Sequence, residues 1–187
     1  QPIDAHKGAF QAVKSDEPRF RAQGFKLENV FAPPIGTAMI MPGIGAQHQE
    51  RMLRYRYLAS MEVAVRDDAT GVLLYNQRTG KLVIDKQTSR ADRLKIQKGN
   101  QTVRELFQAA GAKETFTCDQ GFGLHLMGGC AIGDDATRSV VNPEFQVHGH
   151  ANISIADSSI FPSAPGINPS FTIMALSHKA ALQLVRR

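Results

Sequence analysis

Between positions 61 and 85 apolar residues recur with the period of a strand. Met61, Val63 and Val65 fall at every second place, as in a half-buried strand. Residues 67–71 read as a turn, 72–75 as a second strand, 76–80 as a second turn and 81–85 as a third strand. Connections this short cannot cross over to make parallel pairs, so the pattern predicts an antiparallel meander. Upstream, residues 25–31 alternate well enough for another strand, ended by Pro33 and Pro34. Met52, Leu53, Tyr55, Leu58 and Ala59 fall near helical spacing and predict a helix within 43–59.

The period changes after residue 90. Leu94, Val103, Leu106, Phe107 and Ala110 can share one helical face, and Gly111 suits the stop of a helix over 90–110. Gly99 and Asn100 are the places where that helix could be interrupted. Strands followed by a helix suggest an α+β arrangement, an antiparallel sheet backed by helices. Beyond Gly121, glycines, prolines and histidines become dense. Residues 153–156 read as a buried strand. The last helix is expected over 168–185, with Asn168 as N-cap, Pro169 at the first helical position, and Ile173, Leu176, Ala180 and Leu184 on its apolar face.

Composition narrows the class. The 187 residues are 42% hydrophobic and 21% charged, an ordinary globular balance able to bury a core. A net charge of +5 with no run of five or more Lys/Arg gives no footprint for nucleic acid. No apolar stretch approaches the ~20 residues of a membrane span. Cys118 and Cys130 are expected unpaired, although a disulfide stays open. The chain begins at Gln1 without a signal sequence, which suggests a processed product or an internal fragment.

Several small constellations have bland readings. Gly43-Ile44-Gly45 lacks the preceding strand, third glycine and acidic residue of a dinucleotide fingerprint; a turn before a helix is expected. His148-Gly149-His150 lacks a further ligand at recognisable spacing, so a turn is preferred to a metal site. Ser158-Ser159 has no nucleophile elbow around it. His125, beside Gly128-Gly129, could point into a cleft as a general base. Asp157 follows an apolar strand, where ligands bind in α/β sheets. Asn168-Pro169 opens a helix whose N-terminus favours negative charge or a carbonyl oxygen.

In order, these pieces resemble the C-terminal signature of the glucose-methanol-choline (GMC) oxidoreductases. The signature runs from His-x-x-Gly-Gly-Cys-x-x-Gly at 125–133, through Val-Val-Asn-Pro at 140–143 and Val-His-Gly at 147–149. It continues through Asn-Ile-Ser-Ile-Ala-Asp at 152–157 to Asn-Pro-Ser-Phe-Thr at 168–172. The Gly-Gly-Cys form is closer to the cholesterol-oxidase and bacterial sugar-dehydrogenase branches than to the Gly-Thr-Cys form of choline oxidase. Two positions depart: Asn142 stands where Asp is usual, and Ala131-Ile132 where Arg-Met is usual.

The resemblance implies an FAD-dependent enzyme oxidising an alcohol by hydride transfer to flavin. It makes His125 and Asn168 the catalytic pair facing the flavin and the substrate hydroxyl, and Asp157, Pro169 and Thr172 cofactor-binding residues. It implies that 1–120 is part of the substrate-binding domain. Residues 121–187 then carry the catalytic loop and the last strand and helix of the FAD-binding domain. The expected partners are a small-molecule alcohol and a missing N-terminal FAD-binding half; homo-oligomerisation stays open. No dinucleotide fingerprint or P-loop lies in the chain, so FAD is expected in the full-length protein and not to be retained by this chain alone. Residues 151–187, lacking their sheet neighbours, are expected to pack in a way foreign to the family. The alternatives are an inactive fragment or non-catalytic remnant without cofactor, and a metal module built on His148 and His150.

Overall fold

Phe25 and Leu27 lie on one face of strand β1 (Phe25–Asn29), and Met61, Val63 and Val65 on the same face of β2 (Met61–Val65). The two strands pair antiparallel with Leu27 opposite Val63 and Glu28 opposite Glu62. Their apolar face is closed by Val103 and Phe107 of helix α4 (Arg90–Ala109), with Phe20 of the short helix α1 (Pro18–Ala22) alongside. In this computed structural model, which describes residues 1–9, 11–68, 70–118 and 121–186, that core belongs to the first of two compact units. Unit 1 comprises Gln1–Val65 and Ala91–Phe122; unit 2 comprises Arg66–Arg90 and Gly123–Arg187.

Helix α4 runs without interruption through Gly99. A Cβ on Gly99 would lie 2.2 Å from Val63 Cγ1, so the glycine is there for close approach of helix to sheet. At the other end Ala112 N–H donates to Phe107 O and Gly111 N–H to Gln108 O, both 2.9 Å, the paired bonds of a Schellman stop. Two further helices precede β2 in unit 1: α2 (Pro34–Ile40) and α3 (Ala46–Leu53), the latter followed by a 3-10 turn at Tyr55–Tyr57. The helix expected within 43–59 is thus shorter than its apolar spacing suggested. Pro34 opens α2 at the first helical position, where a missing N–H costs nothing, and the strand before it already ends at Asn29.

The three-stranded meander does not form. The structure contains separate two-stranded sheets, and β2 pairs with β1 rather than with the strand that follows it. The reason lies in the presumed turn. Lys86 Nζ donates to Asp68 O at 2.7 Å and Ser89 Oγ to Asp68 Oδ2 at 2.7 Å. These bonds tie residue 68 to the far end of the next hairpin instead of folding it back on β2. Ala69, inside that turn, lies outside the described residues.

In unit 2, β3 (Val72–Asn76) and β4 (Lys81–Asp85) make an antiparallel hairpin exposed along its whole length. A small sheet joins β5 (Gln146–Val147) to β6 (His150–Ser154). Helix α5 (Ser170–Val185) lays Ala180 and Leu176 on Val141, Phe145 and Ile160, with Cys130, Ile132, Ile155 and Ala156 around them. The strand expected buried at 153–156 falls on β6, which pairs with β5 but is exposed along its length; Ile155 and Ala156 reach the core just beyond it. The expected relocation of 151–187 does not occur either. Its strand and helix stay on partners from residues 130–161 of their own unit, leaving Phe171, Met174 and Val185 exposed. Neither cysteine forms a disulfide.

Candidate functional site

The segments that carry the sequence signature are distant in the chain and meet on one core. Residues 126–132 run beside 158–160: Gly128 N–H donates to Ser158 O at 3.1 Å, Cys130 N–H to Ser159 O at 2.9 Å and Ile132 N–H to Ile160 O at 3.0 Å. Ser158 Oγ closes the end of this ladder on Leu126 O at 2.9 Å. Helix α5 is pinned to the same frame by Ser177, whose hydroxyl donates to Ala156 O. Val141, Phe145 and Ile160 are almost fully buried beneath. Ser158 and Ser177 therefore hold the frame. Nothing in the sequence marks them beyond a hydroxyl near a turn and another inside a helix.

His125 lies at the start of the 126–132 segment, exposed to solvent. Just beyond it Gly128 and Gly129 adopt φ of +87° and +100°, a left-handed pair that only glycine takes without strain. The chain bends sharply there, so the imidazole sits on a loop rather than in a packed wall. An imidazole so placed is open to an incoming hydroxyl.

Asp157 is tied to the same place, because Ser158 beside it bonds Leu126 beside His125. Its carboxylate caps the 3-10 turn Ser158–Ile160 by accepting Ser159 N–H at 2.8 Å. The Ser159 side chain and then its backbone N–H hold that carboxyl below the ordinary value. Asp157 is thus kept ionised.

Asn168 does not cap α5 as its sequence position suggested. The helix begins at Ser170, Pro169 is the cap residue, and no side chain caps the first turn. The Asn168 side-chain oxygen is instead buried and without a hydrogen-bond partner. Leaving a buried acceptor unpaired costs about 1–3 kcal/mol, and native structures keep few such atoms without a use. Beside it are the free N–H groups of the first turn, where the helix carries its partial positive charge and no acidic residue neutralises it. Pro169 is buried and Thr172 is exposed on that turn. Among the described residues no hydrogen bond links His125, Asp157 and Asn168 to one another. What they share is the scaffold.

The histidines of the 148–150 pair go elsewhere. His148 Nε2 is committed to Gly133 O at 3.1 Å and Ser139 Oγ at 3.0 Å, bracing the loop 133–139. His150 is on exposed β6. Among the described residues no group of three or more metal-ligating side chains exists, and no helix is long and apolar enough to cross a membrane.

Comparison with known proteins gives the scaffold its place. An uncharacterized GMC-type oxidoreductase of Mycobacterium tuberculosis is 26% identical over 99% of this chain, which spans 33% of that protein. A cholesterol oxidase of Acinetobacter baumannii is 41% identical over 32% of this chain and 11% of its own length. A 6'''-hydroxyparomomycin C oxidase of Streptomyces lividus is 38% identical over 45% of this chain and 16% of its own. The crystal structure of pyridoxine 4-oxidase from Mesorbium loti matches in fold, with a TM-score of 0.64 over 88% of this chain and 35% of that one at 16% identity. The chain spans about a third of the length of the curated relative it matches end to end. The family model described as GMC oxidoreductase matches residues 69–177, which takes in the β3–β4 hairpin and the segments of the unit 2 core as far as Ser177 of α5, and the chain belongs to the GMC oxidoreductase family.

Proposed function

We propose that this chain is the C-terminal part of a flavin-dependent oxidoreductase that oxidises an alcohol. In this reading 1–120 contributes to the substrate-binding domain. Residues 121–187 supply the catalytic loop and the final strand and helix of the FAD-binding domain. The observation that carries the reading is the buried, unpartnered oxygen of Asn168 at the mouth of an uncapped helix. Such an acceptor lacks a donor, which a ligand bound at the helix mouth would bring.

The residues present fit FAD. The first turn of α5, after Pro169 and including Thr172, offers free N–H groups and partial positive charge to a ring carbonyl or an anionic flavin. Asp157 offers an ionised carboxylate to the hydroxyls of the flavin side chain. When bound, FAD supplies the hydride acceptor. The protein's share is the proton and the geometry. The His125 imidazole takes the hydroxyl proton of the alcohol, and the Asn168 amide hydrogen-bonds the same oxygen and orients it. The C-terminal helix, held by Ser177 and the Val141–Phe145–Ile160 core, fixes where that amide stands.

The test uses the full-length protein. His125→Ala is expected to lower the rate of flavin reduction by alcohol by about 100- to 10,000-fold while flavin content stays at the wild-type level. Asn168→Ala is expected to lower it too. Wild-type reduction rates in both flavin-replete variants would overturn the assignment.

A further inference from the structure

The chain enters Asn168 through a loop that is anchored at its two ends. Ile160 and Phe161 are buried before it, and Ser177 and Ala180 hold helix α5 after it. Among the described residues, one hydrogen bond joins 162–168 to the rest of unit 2: Arg66 Nε donates to Ala164 O at 3.0 Å. Arg66 belongs to the same unit as the loop, although it stands 98 positions from Ala164 in sequence.

The stem of the same side chain lies against Gly166. A Cβ at Gly166 would stand 3.2 Å from Arg66 Cδ and 3.5 Å from its Cβ and Cγ, and the glycine has a φ of +71°. Any other residue there would crowd the arginine and take a left-handed conformation that side chains disfavour. Arg66 thus touches the loop twice, four residues and two residues before Asn168.

Asn168 needs such a hold. An asparagine just ahead of a helix ordinarily turns its oxygen onto the N–H groups of the first turn. Here no side chain caps that turn, and the Asn168 oxygen is buried without a partner. Because an unpaired buried acceptor is costly, a loop free to relax would let the amide swing onto the helix. The path fixed at Ala164 and Gly166 keeps it off.

We propose that Arg66 is a positioning residue for Asn168: it fixes the 162–167 loop so that the amide stays open to a ligand instead of capping α5. The proposal rests on the role given to Asn168 above. The test is made in the full-length protein with Arg66→Met, which keeps the stem against Gly166 and removes the donor. Flavin reduction by alcohol is expected to slow by about tenfold, since small misplacements of a reacting geometry are costly, with flavin content at the wild-type level. Arg66→Lys, which keeps stem and donor, is expected to regain most of that loss. In an Asn168→Ala background, Arg66→Met is expected to cost no more than about twofold, because the residue it acts through is gone; a merely structural role would cost the same in both backgrounds. The crystal structure of Arg66→Met is expected to show residues 163–168 off their wild-type path and the Asn168 oxygen on an N–H of α5. A wild-type rate in Arg66→Met, a lysine variant as slow as the methionine one, the full loss persisting in the Asn168→Ala background, or an unmoved loop would each overturn the proposal. A wild-type rate in Asn168→Ala alone would overturn the role of Asn168 in the reaction, and the position of the loop in Arg66→Met would still decide whether Arg66 holds it.

Discussion

Two ladders of equal length, β1–β2 and β3–β4, have opposite fates. Each pairs five residues with five, antiparallel and without a bulge. The first joins segments far apart in sequence and buries one face beneath α4, with Phe25 and Leu27 each 3% exposed. The second is a local hairpin closed by a short turn, and its Tyr75 and Ile84 are 65% and 69% exposed. Strand formation is thus set by local alternation and turn chemistry. Burial depends on a cover, which unit 1 carries within itself and the hairpin lacks. A two-stranded ribbon alone is marginal in water, and the hairpin of unit 2 is exposed along its length.

The largest test of that contrast is cofactor binding. If unit 2 completes its site only against the rest of a longer protein, the 187-residue chain is expected to retain no stoichiometric FAD after gel filtration with excess cofactor, whereas the full-length protein keeps it. Flavin absorbance at one per chain in the short form would end this view. Next comes packing. Leu27→Ala is expected to cost about 2–5 kcal/mol in urea unfolding. Leu82→Ala on the hairpin is expected to cost less than about 1 kcal/mol. Equal losses would mean that the two ladders do not differ in cover.

A smaller effect sharpens the same point from the helix side. Gly99→Ala sets a methyl against Val63, and such overpacking costs roughly 1–3 kcal/mol. Adding Val63→Ala should return part of that loss, and strict additivity in the double mutant would argue against the contact. The smallest effect is electrostatic. The Asp157 carboxyl is held low by Ser159, so its contribution is present above the unfolded carboxylate value and is lost as pH falls through the folded one. Asp157→Asn should lower the melting temperature slightly at neutral pH and not at about pH 2; an equal drop at both would assign the role to shape rather than charge.

The elements were more legible than their partners. Strand periods at 25–29, 61–65, 72–76 and 81–85 stood in the sequence, as did the stop at Gly111. The pairing of β2 did not, because Asp68 had the composition of a hairpin turn while its side chain and carbonyl were bonded to Ser89 and Lys86. Gly99 read as a weak point in a helix, since sequence cannot show a valine waiting on the facing sheet. At the candidate site the spacing of the signature pointed to His125, Asp157 and Asn168 as candidates. It misjudged what Asn168 does: Asn before Pro is a capping pattern, and only the coordinates show its oxygen facing no donor. Arg66 passed unnoticed, being 98 positions from Ala164 and brought to it only by the fold.

The discontinuity of the two units bears on how the polypeptide is made. Each unit takes its second segment from beyond a stretch belonging to the other. A ribosome adding ~5–20 residues per second takes a few seconds to cross residues 91–122. By the end of that interval the β3–β4 hairpin is beginning to leave the exit tunnel, while the 123–187 segment that completes its unit is still untranslated. Its apolar strands and unpaired edges are then a natural substrate for chaperones that guard nascent chains.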